Sequence, residues 1–408
     1  MNGKHSQPNT VFCLASYFKG NDFMRECKSL GHRVFLLTRE VKLNEDWARE
    51  SLDGIILVAN DGEIRSYLQA ATNLALMNKP THIIALEEGD VITAGRLREH
   101  FGLEGMFSSQ TRLFRDKHSM RCQAKQHDLR QAEFVHALNY QEIGEFMERV
   151  SPPWVLKPRA DASAIGIKKI TESEQVWRAI DKLNENKTLS ERADAYVLEQ
   201  FIEGDVYHVD SLVVGGKVAV ACANRYGSAP LEIAVHGGVS TSFTIDYDSA
   251  ERKELLNANK KILRAFGFEK GVTHAEFIKS RTDGEFYFLE IGARVGGAYT
   301  AEAFEAASGL NIWREWAKIE MSKADEPYFP VPKRFEYGGI VVSLAKQEFP
   351  DISSYIDSEI FYRAKKEHHV GLVLRSAKLE RVQELLESYT RRFSKDFLAI
   401  APQPDRPD

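Results

Sequence analysis

The sequence has few cysteines, no long apolar run and little excess of either charge. Its four cysteines, Cys13, Cys27, Cys122 and Cys222, show no Cys-x-x-Cys spacing, so neither a disulfide framework nor a thiolate zinc site is expected. No stretch approaches the roughly 18 consecutive apolar residues of a membrane helix, and the N-terminus lacks the apolar core of a secretory signal. We therefore expect a cytoplasmic protein with reduced thiols and no membrane partner.

The formal net charge of −5 gives no whole-chain attraction to nucleic acid or to anionic lipid. Any phosphate site in the interior must therefore supply its own cations. The chain has 408 residues, 43% of them hydrophobic and 28% charged, which is typical of a globular protein with two or three domains.

The first third of the chain alternates strand and helix patterns. Short apolar, β-prone runs at 10–16, 33–38, 54–58 and 81–86 are separated by helical stretches, which predicts a parallel, doubly wound α/β sheet. No G-x-G-x-x-G motif follows the first run, so this sheet is not expected to bind a dinucleotide. We expect it to act as a scaffold that lends a wall to a substrate pocket.

Two glutamates lie in segments that should be core strands. Glu276 occurs in VTHAEFI and Glu290 in FYFLEIGAR. An ionised carboxylate is costly to bury unless it is paired or bound to a metal, and two carboxylates on neighbouring strands also repel each other. A hard divalent cation solves both problems. The equally weighted alternative is that each glutamate pairs with an arginine, for which Arg294 is near in sequence.

A lysine and a loop of small residues form a second candidate site. Lys157 ends the apolar run WVLK, where its ammonium can serve as a point charge for phosphate oxygens. The loop RADASAIGIKKI follows, and its small residues, including Ser163 and Gly166, allow backbone N–H groups to approach phosphate. No Walker A motif is present, and the loop alone more often indicates an ordinary β-turn.

The segment YVLEQFIEGD predicts a strand that leads into a turn. Its backbone can offer N–H and C=O groups to the edge of an adenine ring. The alternative for Glu199 in this segment is an exposed strand residue, which the pattern alone favours.

The order of these segments is more specific than any one of them. DK-x-x-M at 116–120, VLKPR with its loop, LEQFIEG, GVTHAEFI and LEIGARVGG together resemble the ATP-grasp superfamily, over residues 11–320. The resemblance implies an α/β ATP-grasp fold, with the nucleotide bound between two sheets. It implies a Rossmann-like pre-ATP-grasp domain at 1–110, connecting helices at 111–151, a mobile lid subdomain at 152–202, a catalytic subdomain at 203–326 and a C-terminal α+β capping region at 327–408.

The same resemblance implies ATP and Mg²⁺ as cofactors, with Mn²⁺ as an alternative ion, and assigns roles to single residues. These are Lys117 and Lys157 on the phosphates, Ser163 to Gly166 in the loop that closes over them, Glu199, Gln200 and Ile202 in the adenine hinge, Glu276 and Glu290 on the metal, and Arg294 as the catalytic cation that faces the substrate or the transferred phosphate.

Two positions depart from the superfamily pattern. Val206 stands where a glutamate commonly binds the ribose, which leaves Asp205, Glu203 or Asp210 as substitutes. Gly292 replaces an asparagine that often adds a metal ligand, so a two-metal site is less expected here.

The segment EIGARVGG resembles the L-amino-acid ligase branch of the superfamily. This implies a carboxylate–amine ligase that forms an acyl phosphate and releases ADP and phosphate, with amino acids as substrates. A biotin carboxylase-like reaction is the first alternative. It is disfavoured because Val295–Ala298 replace the Gln-Val-Glu-His stretch of those enzymes, and because no biotin-bearing Met-Lys-Met motif is present. A nucleotide-binding regulator without catalysis is the second alternative.

Candidate substrate residues lie between the hinge and the metal strands. Arg225 is expected in the acceptor pocket, and His236 is expected to stabilise the intermediate or orient the amine, although an ordinary loop histidine has equal weight. His274 shares a strand face with Glu276 and is expected to hydrogen-bond it. The pair His368–His369 has no carboxylate spacing for zinc. Many members of the superfamily are homodimers, so a homodimer is one expectation.

Overall fold

The computed structural model of the protein describes residues 8–160, 166–185, 196–323 and 325–400. Within these ranges the chain forms three sheets. Helices pack on all three, and none of them is both long and apolar enough to cross a bilayer.

The N-terminal sheet is parallel, as predicted, with the strand order β3-β2-β1-β4. Strand β1 is buried along its whole length, because helices cover both faces of the sheet and force an unbroken apolar run. The strands are β1 Thr10–Leu14, β2 Arg33–Arg39, β3 Gly54–Val58 and β4 His82–Ala85, and the helices of this part are α1 Asn21–Ser29, α2 Ile64–Ala75 and α3 Val91–Phe101.

A short connecting stretch follows and begins with α4 Ser108–Thr111 and α5 Lys117–Gln126. Asp116 caps α5, since its side chain accepts hydrogen bonds from the amides of His118 and Ser119. The amide of Lys117 donates to the carbonyl of Arg159 at 2.8 Å. These bonds fix the first turn of α5 against the strand that ends at Pro158.

The second sheet is antiparallel, with the order β5-β8-β6-β7, and we call it the lid sheet. It consists of β5 Phe134–His136, β6 Trp154–Pro158, β7 Lys168–Ile170 and β8 Tyr196–Gln200, with α6 Tyr140–Arg149 and α7 Ser173–Asn184. Ile143 and Phe146 of α6 share a buried core with Trp154 and Leu198. The lid boundary expected at 152 is therefore wrong: residues from Phe134 onwards pair and pack with the lid sheet.

The central sheet has eight strands in the order β13-β12-β9-β10-β11-β14-β16-β15, and every neighbouring pair is antiparallel. Its strands are β9 Gly204–Val214, β10 Lys217–Tyr226, β11 Ser240–Thr244, β12 Lys270–Ser280, β13 Phe286–Gly292, β14 Tyr337–Leu344, β15 Ile360–Arg363 and β16 His369–Ser376. Its helices are α8 Pro230–His236, α9 Ala250–Ala265, α10 Thr300–Ser308, α11 Ile312–Met321 and α12 Leu379–Asp396. The region expected as a separate C-terminal cap instead continues this sheet through β14, β16 and β15.

One buried apolar cluster joins the N-terminal sheet to the central sheet. It runs from Phe12 through Phe114 and Phe266 to Phe277 and Phe288. Close-packed interiors resist sliding, so this cluster fixes the position of one sheet relative to the other. The loop after β4 is thereby placed beside the end of β13.

Candidate active site

A cavity of about 1000 Å³ lies between the lid sheet and the central sheet. Its walls include the lid strands β6 and β8, the first turns of α5, and the strands β11 to β14 of the central sheet. It has two ends, which we call the nucleotide end, near Lys117 and Lys157, and the far end, near Ser242 and Ile340.

The nucleotide end contains a buried cluster of three charges. The ammonium of Lys157 lies 2.7 Å from Oε2 of Glu199, and Arg121 donates to both oxygens of the same carboxylate at 2.8 and 3.0 Å. Arg121 also donates to the carbonyl of Leu289 at 2.8 Å, and its side chain is 1% exposed. The three side chains are buried and together carry one net positive charge. This excess charge favours an anion at this end of the cavity.

Burial governs the ionisation of this cluster. It lowers the pKa of Lys157 to about 8, and the attraction of Glu199 offsets only part of this effect. Burial also opposes the ionisation of Glu199, yet Arg121 and Lys157 hold the pKa of that carboxyl below its usual value.

The alternative in which Glu199 is an exposed strand residue is wrong, because the residue is 3% exposed and both of its side-chain oxygens pair with Arg121 and Lys157. Gln200 and Ile202 line the cavity as expected. The amide of Gln200 already donates to the carbonyl of Glu133 at 2.8 Å. Ile202 lies between β8 and β9, where the chain passes from the lid sheet to the central sheet.

Only part of the loop expected to close over the phosphates lies within the described residues. Ser163 lies outside the described residues, whereas Gly166 lies next to β6 with φ +73°. A Cβ atom at position 166 would lie 2.9 Å from Cγ of Pro158, so the site requires glycine both for its backbone conformation and for its space.

Glu276 and Glu290 are directly opposite each other on β12 and β13, and both line the cavity. Lys117 lies 3.1 Å from Oε2 of Glu290. Tyr226 donates its hydroxyl to Oε1 of Glu276 at 2.8 Å, and Nε2 of His274 lies 3.5 Å from the same oxygen. The predicted contact between His274 and Glu276 is thus present.

The alternative in which Arg294 pairs with one of these glutamates is wrong. Arg294 instead binds Oε2 of Glu88 through Nε at 2.8 Å and Nη2 at 2.6 Å, while Arg115 binds the other oxygen of Glu88 at 2.9 Å. Burial opposes the ionisation of Glu88, but the two arginines lower its pKa to about 2. The N-terminal domain therefore holds Arg294 in place at the cavity wall.

The acidic pair fits a magnesium ion. Two carboxylates directly opposite on neighbouring strands repel each other, and their remaining oxygens face the same cavity as the lysines. Burial opposes ionisation of Glu276, but His274 and Tyr226 hold its pKa below the usual value. Gly292 offers no side-chain oxygen, so the protein set consists of the two glutamates.

Of the three acids that could bind the ribose, two line the cavity and one does not. Glu203 and Asp205 line the cavity, where they pair with Arg281 at 3.3 and 2.9 Å. Asp210 is buried between His208 and His274 and does not line the cavity. Val206, which stands at the usual ribose position, is buried in the cavity wall.

The structure does not bring Arg225 or His236 to the cavity. Arg225 lies opposite Tyr207 on the other face of the sheet and pairs with Asp205 at 2.6 Å, because successive strand residues alternate between faces. His236 ends α8 with its side chain 71% exposed, 3.6 Å from Glu232. Both expected substrate roles are therefore wrong for this structure.

Sequence reasoning missed Arg121 and Glu88. Arg121 is four residues after Lys117 on one helix, which places the two on the same face, so the spacing was a usable signal. Glu88 follows a parallel strand at its carboxyl end, where open α/β sheets usually place functional groups. Tyr226 offered no such signal.

The chain was compared with known proteins. Residues 150–302 match a family described as the ATP-grasp domain. An L-arginine-specific L-amino acid ligase of Bacillus subtilis is 22% identical in an alignment of 297 positions that covers 69% of this chain and 70% of that protein.

Two solved structures share the fold. An L-amino acid ligase from Bacillus licheniformis has a TM-score of 0.76 at 15% identity, over 97% of this chain and 99% of that one. The biotin carboxylase domain of a Hydrogenobacter thermophilus 2-oxoglutarate carboxylase, in complex with MgADP and bicarbonate, has a TM-score of 0.70 at 15% identity, over 96% and 91% of the two chains. The domain match, the shared architecture and the ordered site residues agree: the chain contains an ATP-grasp domain at residues 150–302 and has the ATP-grasp fold.

Proposed function

We propose that the protein is an ATP- and magnesium-dependent carboxylate–amine ligase that joins two amino acids through an acyl phosphate and releases ADP and phosphate. The observation that carries this proposal is the single cavity in which two buried lysines, an opposed pair of glutamates and a fixed arginine converge. Such an arrangement stabilises charge that develops on a transferred phosphoryl group.

Lys117 and Lys157 bind the phosphates by exchanging partners. Each is paired with a glutamate in the cavity wall, at 3.1 and 2.7 Å. Phosphate oxygens replace these carboxylates when the nucleotide enters. Arg121 stays on Glu199 during the exchange, so that carboxylate is not left as an unpaired buried charge.

Glu276 and Glu290 hold the magnesium ion, with manganese as an alternative. A magnesium ion held there would supply positive charge to offset the negative charge that develops on the transferred phosphoryl group. Tyr226 and His274 orient Glu276 by contacts with the same oxygen, so its other oxygen would remain available to the ion.

Arg294 binds the carboxylate substrate or the transferred phosphoryl group. Glu88 and its second partner Arg115 prevent this guanidinium from rotating away. A group that is already oriented loses little conformational entropy when the substrate arrives. The lid sheet, which forms the other wall, shields the acyl phosphate from water.

The segment that follows β13 does not support a carboxylation of the biotin carboxylase type. A Cβ atom at Gly296 would lie 2.4 Å from Oγ1 of Thr300 and 2.8 Å from Nδ1 of His274, so this position admits no larger residue. At Gly297 a Cβ would meet nothing within 4 Å, and this space is available to a substrate. The names of the similar ligases support amino acids as that substrate. A cytoplasmic location and a homodimer remain part of the proposal.

The test is phosphate release from ATP and magnesium across all pairs of amino acids, with mass spectrometry of the products. We expect ADP, phosphate and a condensed product that depend on an amino acid. Turnover that requires bicarbonate and biotin, or ATP binding without phosphate release under every mixture, contradicts the ligase.

A further inference from the structure

A buried chain of hydrogen bonds crosses the central sheet beneath the cavity. Oγ of Ser242 lies 2.7 Å from Nε2 of His208, and Nδ1 of His208 lies 2.8 Å from Oδ2 of Asp210. The other oxygen of Asp210 lies 2.8 Å from Nδ1 of His274, whose Nε2 reaches Glu276. Ser242 is the member of this chain that lies at the far end of the cavity.

The polarity of these bonds follows from Asp210. An ionised carboxylate only accepts hydrogen bonds, so both histidines present Nδ1–H to it. When the ring of His208 is neutral, Nε2 is then an acceptor, and the hydroxyl of Ser242 donates to it. The hydrogen of Ser242 is thereby committed to the sheet, and its oxygen lone pairs are left for a donor in the cavity.

Ser242, His208 and Asp210 have the contacts of a catalytic serine triad, but their position excludes acyl transfer to the serine. Two strands, β9 and β10, separate β11 from β12, and three strand spacings of about 4.8 Å place the backbone of Ser242 roughly 14 Å from that of Glu276. A nucleophile must approach its target to about 3 Å. The group therefore binds rather than attacks.

A metal site at His208, Asp210 and His274 is also disfavoured. These three offer ligand atoms within 4.8 Å of one another. However, every ring nitrogen of the two histidines already has a partner, namely Ser242, Asp210 or Glu276. An ion would have to break this closed set of bonds.

The far end of the cavity has the character of an amino-acid site. Leu231, Ile340 and Val342 line it with apolar surface, and Tyr226 is directly opposite Ser242 on the neighbouring strand. The cations Lys117, Lys157 and Arg294 lie towards the nucleotide end. A zwitterion in this field turns its carboxylate to the cations and its ammonium away from them.

We propose that Ser242, oriented by His208 and Asp210, binds the ammonium group of the aliphatic amino acid whose carboxylate is activated. The hydroxyl oxygen accepts one N–H, and the ring of Tyr226 offers its face to the same cation. The proposal rests on the proposed ligase function, but it makes a claim about binding that turnover is not needed to test.

The experiment measures binding by calorimetry in the presence of MgADP. The probes are L-leucine and 4-methylpentanoate, which has the same carboxylate and side chain but no ammonium. The full chain is compared with S242A, H208Q and the control S343A. Ser343 is a buried serine of the same sheet whose Oγ has no hydrogen-bond partner among the described residues, and it does not line the cavity.

We expect the wild-type protein to prefer L-leucine over 4-methylpentanoate by about tenfold or more. S242A and H208Q should lose most of this preference while their affinity for ADP stays unchanged, and S343A should retain it. Absence of L-leucine binding, or an undiminished preference in S242A, overturns the inference. Failure of the ligase proposal is seen separately, as absence of amino-acid-dependent phosphate release by the wild-type protein.

Discussion

The two ends of the cavity use different chemistry. The nucleotide end holds charges whose partners can be exchanged, as Lys157 with Glu199 and Lys117 with Glu290. The far end holds Ser242 in a chain of fixed hydrogen bonds that begins at Asp210. Exchangeable ion pairs suit a ligand that brings four negative charges and leaves again, whereas fixed hydrogen bonds suit recognition of one donor group.

The strongest test of this difference is removal of one carboxylate at the nucleotide end. E290Q keeps the shape of the side chain but removes a metal ligand and the partner of Lys117, so we expect phosphate release to fall at least about a hundredfold. The matched control is E285Q, on the same hairpin with an exposed side chain. The assay is phosphate release, with thermal unfolding to verify the fold. Near-normal turnover of E290Q would remove the metal assignment.

The second test concerns the partner exchange of Lys157. In R121M, Glu199 keeps Lys157 as its only partner, so the lysine is less free to move to phosphate, and we expect ADP affinity to fall by about tenfold. Breaking a buried ion pair also costs about 3–5 kcal/mol of stability. The double variant R121M/E199Q should recover much of both losses. Titration calorimetry and thermal unfolding measure them, and equal ADP affinity in R121M and wild type contradicts the exchange.

Much of this site was predictable because it is local in sequence. Lys117, Lys157, Glu276 and Glu290 each stand in a segment whose order and spacing resemble the superfamily, and the structure brings all four to one cavity. The fold of the N-terminal sheet was equally predictable, because buried parallel strands read as unbroken apolar runs.

Other features depend on contacts between distant segments, which no local pattern encodes. The partner of Arg294 is Glu88, 206 residues away, brought in by the packing of two sheets. Glu199 stands in a strand pattern that fits an exposed residue. In the structure it is buried, and Arg121 and Lys157 neutralise its negative charge. The short strand β5 joins the lid sheet by pairing with β8, 61 to 65 residues further on, so the lid begins earlier in the chain than residue 152.

The third test uses pH at the nucleotide end. Burial lowers the pKa of Lys157 to about 8 in the free protein, so its positive charge is present below pH 8 and is lost above it. Bound phosphate favours the charged form, so the affinity for ADP should decrease as pH rises from about 8 towards 9, by up to roughly tenfold per unit. Calorimetry across this range measures the slope. K157R, whose charge does not titrate there, should give a flatter profile; parallel profiles contradict the assignment.

A smaller effect on the kinetics is expected when the contact that holds Arg294 is weakened. E88Q keeps one hydrogen-bonding oxygen for Arg294 but removes the charge that binds both Arg294 and Arg115. The guanidinium then samples more orientations, so we expect KM for the amino acid to rise several-fold while KM for ATP changes little. Steady-state kinetics with each substrate varied in turn separates these constants. A rise confined to the KM for ATP would place Arg294 on the nucleotide instead.

The smallest effect is expected outside both ends. The side chain of His236 is 71% exposed, and the residue does not line the cavity. H236A should therefore change kcat and the KM values by less than about twofold, since exposed substitutions away from a site have little effect. The same kinetic assay measures this. A large loss of kcat in H236A would mean that α8 moves over the far end during turnover. The far end would then not act through fixed hydrogen bonds alone.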